Sequence, residues 1–234
     1  MIHWKEKAMV WDEKWEKVFQ TEEWGKYPPE CLIRFIAGNY YNKDRKTVKI
    51  LEIGCGTGTN LWYMARERFD VYGIEGSKTA VERAIKRIES EGLSANIIQG
   101  DILSLPFEKE YFDAVIDSDC LYCNSADDTN IVLSEVKRVL KKDGLFFSRT
   151  PTDKMYFGKS FDTVGDMEYK NISDGPLKGK GLARLMNLDR IKSMYGKYIK
   201  ILSIDKEEHT RDNGNILVSK WVIVCQCTTG KISI

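Results

Sequence analysis

The stretch Lys49-Ile50-Leu51-Glu52-Ile53-Gly54-Cys55-Gly56-Thr57-Gly58-Thr59-Asn60 packs three glycines into five positions directly after a short apolar run. A run of this kind reads as a strand, and the residues that follow it read as the start of a helix. Between them, glycines let the backbone bend tightly and approach a ligand at the carboxyl end of the strand. That one feature commits the chain to a βα unit and to an α/β fold. With 234 residues, 42% hydrophobic and 30% charged, the chain is long enough for one large domain with a full core.

Apolar spacing places the other elements. Helices are expected over 4–20, 30–41, 60–68, 78–91, 128–140 and 187–195. Strands are expected over 48–53, 70–74, 95–99, 112–116, 144–149, 199–205 and 220–226. Strands alternating with helices imply a doubly wound, mostly parallel seven-stranded sheet with helices on both faces. The turn-rich Arg211-Asp212-Asn213-Gly214-Asn215 joins the last two strands, so the final strand should be antiparallel. Residues 152–186, with five glycines, a proline and no clear period, read as an insertion.

Composition narrows the partners. A net charge of +1 gives no reason to expect nucleic acid or an anionic membrane surface. No run approaches the roughly 18 apolar residues of a membrane span, and the start has no apolar core of signal-peptide length. A cytoplasmic protein is the expectation, and its six cysteines should then be reduced. Cys120-Leu121-Tyr122-Cys123 and Cys225-Gln226-Cys227 lie in apolar stretches, so they read as small buried hydrophobes, and no metal site is expected.

The glycine loop could serve a phosphate or a nucleoside. A dinucleotide fingerprint wants G-x-G-x-x-G, but Thr59 holds the third glycine place and Gly58 comes one residue early. Glu52, at the strand tip, would repel a pyrophosphate. Beside a cationic ligand the same carboxylate is favourable by several kcal/mol. The ligand suggested is a nucleoside carrying positive charge.

These residues resemble the class I S-adenosylmethionine-dependent methyltransferases over roughly 30–150 and the closing hairpin, which implies a Rossmann-like methyltransferase fold with S-adenosylmethionine as cofactor. Glu52-Ile53-Gly54-Cys55-Gly56-Thr57-Gly58 matches the family's E/D-x-G-x-G-x-G loop, with Asn60 just beyond it. The resemblance gives Glu75, with Gly76 and Ser77 after it, the ribose hydroxyls. It gives Asp101 the adenine amino group, with Ile102 as the apolar wall, and it sets Asp117 and Ser118 beside the methionine ammonium.

Trp11-Asp12-Glu13-Lys14-Trp15 and Trp24-Gly25-Lys26-Tyr27-Pro28 are similar in character to the thiopurine and tellurite-resistance branches, where an amino-terminal helix covers the cofactor. The resemblance implies a helical lid over 1–45 and a methyltransferase domain over 46–234, with 152–186 as acceptor cap. Trp15 and Tyr27 are the expected lid contacts, with Trp4 and Trp11 as packing. Asp119 and Tyr122 are the candidates to face the acceptor. Cys123 stands where many small-molecule members carry histidine, and the N/D-P-P-Y signature is absent. His209 is expected on a surface loop. The reading is methyl transfer to an oxygen or nitrogen of a small molecule; a non-catalytic cofactor-binding subunit and a nicotinamide-dependent oxidoreductase are the alternatives.

Overall fold

The computed structural model describes residues 11–228. Trp4, named above, lies outside them. The chain opens with α1 (Lys14–Thr21) and α2 (Glu30–Tyr40), the latter entered from Pro29 in an extended conformation that ends one path and starts the next. Five strands and three helices follow: β1 (Lys49–Ile53), α3 (Thr59–Arg66), β2 (Asp70–Glu75), α4 (Lys78–Glu89), β3 (Asn96–Gln99), β4 (Phe112–Ser118), α5 (Ala126–Val139) and β5 (Leu140–Pro151). Side-chain caps start two of these helices, Ser77 accepting from the Ala80 amide and Ser125 from the Asp128 amide. The chain then forms β6 (Asp162–Gly165), β7 (Glu168–Lys170), β8 (Ala183–Arg184), α6 (Leu188–Tyr195), β9 (Lys200–Arg211) and β10 (Ile216–Gln226).

The main sheet has seven strands in the order β3-β2-β1-β4-β5-β10-β9. β1 pairs in parallel with both β2 and β4, so the direction of winding reverses there. Ligands of such sheets sit at that reversal, outside the carboxyl ends of the strands. β10 runs antiparallel between β5 and β9, as the last strand of the chain was expected to.

Alternation along the strands builds two apolar layers. Leu51, Ile53, Val115 and Phe146 face one layer, filled by Val132 and Val136 of α5 and Ile191 and Tyr195 of α6. Ile50, Ala114, Ile116 and Phe147 face the other, filled by Leu32, Phe35 and Ile36 of α2 and Leu61 and Met64 of α3. All of these side chains are buried.

Three segments differ from expectation. The strand after α5 begins at Leu140, which pairs with Phe112, four residues before the expected start at Gly144; a register shift between Phe112 and Ala114 absorbs the extra residues. The insertion carries its own antiparallel sheet, β6-β7-β8, whose strands are too short to show a period. β9 and β10 form a longer hairpin than their apolar cores suggest, because the outer half of β9 is exposed and polar. His209 therefore lies on β9, opposite Val218 and exposed. Among the described residues no helix is long and apolar enough to cross a membrane.

Candidate active site

The glycine bend between β1 and α3 sits at the winding reversal. Gly54 and Gly58 both have positive φ, 61° and 76°. A Cβ at Gly54 would lie 2.2 Å from Cys120 Sγ, and one at Gly58 would lie 2.9 Å from Ala84 Cβ. Only glycine lets the bend pass under the β4 loop and against α4 at once.

Three carboxylates converge beneath this bend. Glu52 is 2% exposed, Glu75 7% and Asp117 0%. Glu52 Oε1 accepts from Asn60 Nδ2 at 2.6 Å, while Oε2 has no partner. Burial, with Asp117 and Glu75 nearby, outweighs the Asn60 bond and pushes the Glu52 carboxyl up to about 8. Glu75 accepts from the amides of Gly56 and Ser77, each at 2.9 Å, and burial still raises it. Burial also raises Asp117, to about 6, against bonds from Ser148, Leu121 and Cys120. The Asp117 side chain thus staples the loop after β4; it accepts the Cys120 and Leu121 amides at 3.0 Å and the Ser148 hydroxyl at 2.5 Å.

Two connected spaces open above them. The cleft, about 100 Å³, is lined by Trp11, Glu75, Gly76, Asp101, Ile102 and Cys120 among others. Asp101 Oδ1 accepts from the Leu103 amide at 2.9 Å, which turns the chain after β3 toward the cleft. The chamber, about 640 Å³, is lined by Glu52, Cys55, Gly56, Asn60, Ser118, Tyr122 and Tyr27, with Arg149, Lys180, Arg211 and Lys220 as its cations. Gly58 and Ser77 stand behind these walls as turn and cap. Tyr27 is at the rim, 75% exposed, with its ring edge against Trp62. Tyr122 is buried on the chamber wall, and desolvation holds its phenol well above the ordinary value, so it is a neutral O–H group.

The amino-terminal segment lies across both spaces. Trp15, Phe19 and Trp24 form a ring cluster with centroids 5.5–6.3 Å apart, and Phe19 packs 3.4 Å from a Cβ position at Gly56. Lys180 ties the insertion to this segment through Glu22 at 2.7 Å and lies over the Trp24 ring. Trp11, read as packing, lies against Gly76 and lines the cleft.

Sequence reasoning passed over several wall residues. Phe19 and Trp24 had a signal, since Trp11, Trp15 and Phe19 recur every fourth position on one face. Arg149 and Lys220 had none, because β5 and β10 bring them together from 71 residues apart. Arg184, a cation of the insertion, is 1% exposed and donates to the Ser125 and Leu121 carbonyls and to Thr129 Oγ1. Cys120 and Cys123 line the cleft, and burial raises both thiols, so they stay protonated. Among the described residues no cluster of three or more His, Cys, Asp or Glu side chains could hold a metal ion.

A family described as a methyltransferase domain matches residues 50–144. An uncharacterized methyltransferase of Schizosaccharomyces pombe is 30% identical over 100 residues, which cover 43% of this chain and 69% of that one. The chain belongs to the class I S-adenosylmethionine-dependent methyltransferases. An uncharacterized protein of Haemophilus influenzae is 29% identical to this methyltransferase over 151 residues, covering 62% of this chain. The chain spans 58% of that relative's own length, and 40% of the next curated relative it matches. A solved methyltransferase from Methanosarcina mazei shares the fold with a TM-score of 0.69 at 20% identity, covering 83% of this chain and 98% of that one.

The buried walls fit the family's cofactor. A sulfonium or ammonium compensates the orphaned Glu52 Oε2 and the charge shared with Glu75 and Asp117, whereas a pyrophosphate would add to it.

Proposed function

We propose that this methyltransferase moves a methyl group from S-adenosylmethionine to an oxygen or nitrogen of a small molecule seated in the chamber. The observation that carries the reading is the pair of connected spaces: one anionic at its base and walled by Glu75, Asp101 and Ile102, the other walled by aromatic rings and cations. Bound there, S-adenosylmethionine supplies an electrophilic sulfonium methyl whose departure leaves a neutral thioether.

The roles assigned to this chain's residues follow from their contacts. Glu75, its carboxylate already oriented by the Gly56 and Ser77 amides, accepts the ribose hydroxyls. Asp101 and Ile102 take the adenine edge and face, with Gly76 beneath. Glu52, with Asn60, holds positive charge below Gly54, Cys55, Gly56 and Gly58, and the backbone at Asp117 and Ser118 closes that side. Trp15, Phe19 and Trp24 exclude water and present ring faces to the cation. Residues 1–45 act as the lid in this reading, with Trp11 turning off Gly76 to admit adenosine and Tyr27 at the edge. Residues 152–186 act as the acceptor cap through Met155, Leu177 and Lys180, which line the chamber.

Catalysis in this reading is mainly positioning in a dry site. Asp119 and Tyr122 are the polar groups on the acceptor side. The partner is a small molecule, with no nucleic acid and no membrane. The six free cysteines suit a reducing, cytoplasmic setting.

Calorimetric titration with S-adenosylhomocysteine tests the reading. One site should appear, and Glu75→Ala should weaken it by about 1.5–3 kcal/mol through lost charged hydrogen bonds. A folded protein that ignores S-adenosylhomocysteine, or takes NAD instead, would overturn it.

A further inference from the structure

Four residues line both the cleft and the chamber: Trp15, Phe19, Gly54 and Asp119. They mark the junction where donor and acceptor spaces meet, and Asp119 is the one carboxylate among them. It follows β4 directly and holds a φ of 65°, a left-handed conformation costly to any residue but glycine. That strain persists because the residue is tied down on two sides. Its amide donates to the Arg149 carbonyl at 3.0 Å. Its Oδ2 accepts from Arg149 Nη1 at 2.5 Å and from Lys220 Nζ at 2.6 Å. Arg149 is fixed in turn by Glu207, Nε to Oε2 at 3.1 Å.

The second oxygen is treated differently. Asp119 Oδ1 is buried and has no hydrogen-bond partner. A sequestered carboxylate oxygen left without a donor is costly, and this one belongs to a residue that lines both spaces. With both cations engaged on Oδ2, the lone pairs of Oδ1 are left to accept a hydrogen bond.

We propose that Asp119 Oδ1 receives the O–H or N–H of the acceptor's nucleophilic atom, so that the acceptor is a neutral hydroxyl or amine compound and not a carboxylate or a carbon nucleophile. This rests on the methyltransferase reading above and sharpens its acceptor side. The cations nearest the junction do not argue for an anionic acceptor, because Arg149 and Lys220 are already engaged by Asp119 and Glu207. The same two cations fix the Asp119 side chain in place, so its part is to orient. The acceptor's lone pair forms the new C–O or C–N bond, the electron pair of the broken S–C bond returns to sulfur, and the displaced proton leaves to water. A hydrogen bond to Oδ1 turns that lone pair away from Asp119 and toward the donor side of the junction.

The test uses the full chain saturated with S-adenosylhomocysteine and four ring-sized probes: 4-ethylphenol, 4-ethylaniline, 4-ethylanisole and 4-ethylbenzoate. The phenol and aniline should bind about tenfold or more tighter than the methyl-capped anisole, with the benzoate weakest. In Asp119→Asn the preference for phenol over anisole should shrink to about threefold or less, and the benzoate should gain because Arg149 and Lys220 are released. Lys220→Met, which leaves the Arg149 pair in place, should keep the phenol preference; a loss of packing alone would not reproduce this split. Should Asp119→Asn fail to fold, the wild-type and Lys220→Met comparison decides.

Equal binding of phenol and anisole to the wild type would overturn the proposal, as would tightest binding of the benzoate or no binding of any probe. A loss of S-adenosylhomocysteine affinity in folded Asp119→Asn would also overturn it, by moving the residue to the cofactor. Failure of the wild type to bind S-adenosylhomocysteine would instead sink the parent reading.

Discussion

Glu16 of α1 accepts a hydrogen bond from the Ser77 hydroxyl at 2.6 Å, joining the amino-terminal helix to the start of α4. The same carboxylate accepts from the Thr79 amide at 3.3 Å and from the Thr79 hydroxyl. A negative charge is thereby set on the positive end of α4. The contact pins down the segment that carries Trp15 and Phe19.

Glu16→Ala should free that segment. Because the contact is partly open to water, the expected effect is modest: S-adenosylhomocysteine should dissociate about five to ten times faster. Amides of residues 14–21 should exchange faster in the absence of ligand. Burial raises the Glu16 carboxyl, but the bonds from Ser77 and Thr79 outweigh it and hold the group below its ordinary value. A depressed carboxylate stabilises the closed segment above its unfolded value, and that contribution is lost as pH falls through the folded one. Acid should therefore mimic the substitution, and stopped-flow release rates across pH 3–6 would show it.

Glu52 runs the other way. Its folded value of about 8 lies above the unfolded one, so the folded protein holds this proton more tightly than the unfolded chain. Stability of the ligand-free protein should fall as pH rises from the ordinary carboxylate range toward 8. A cation seated beside Glu52 needs the ionised form, so binding S-adenosylmethionine at pH 7 should release about one proton. Calorimetry in two buffers of different ionisation enthalpy measures that release. Glu52→Gln should abolish it.

Gly58→Ala should lower stability by about 2–3 kcal/mol, combining a left-handed alanine with a methyl forced onto Ala84. A urea melt reports the loss. Because the clash lies between α3 and α4 and not in the cleft, affinity for S-adenosylhomocysteine in the remaining folded protein should change less than stability does.

Arg184→Met should destabilise by about 1–3 kcal/mol, since the Ser125 and Leu121 carbonyls and Thr129 Oγ1 lose their donor inside the core. Chemical unfolding of the variant against the wild type is the check. A neutral result would mean that the turn over Leu121–Cys123 holds without it.

How much of this was legible beforehand follows from range along the chain. Glu52 and the glycines lie within one short strand–turn–helix unit, so local spacing drew attention to them, whereas Glu75 was named through the family resemblance. The alternation of elements and the hairpin turn were enough for a mostly parallel sheet with an antiparallel last strand, but not for the order of its strands. Trp11 was assigned to packing because an indole on an amphipathic helix normally packs; that its packing surface is Gly76 depends on where α1 crosses the sheet. The pairing of Asp119 with Arg149 and Lys220 depends on the register of β5 against β10, which no local pattern records. The burial of Arg184 was hidden for a related reason: a cation in an irregular segment reads as solvated until the fold encloses it.

The order in which the walls arise along the chain has a consequence for descent. Everything assigned to the donor half, apart from the amino-terminal rings, comes from residues 52–120, while Arg149, Met155, Leu177, Lys180, Arg211 and Lys220 of the other half all come later. On the proposed reading, drift in the downstream half would change the acceptor without disturbing the hold on the methyl donor, and the two halves would diverge at different tempos.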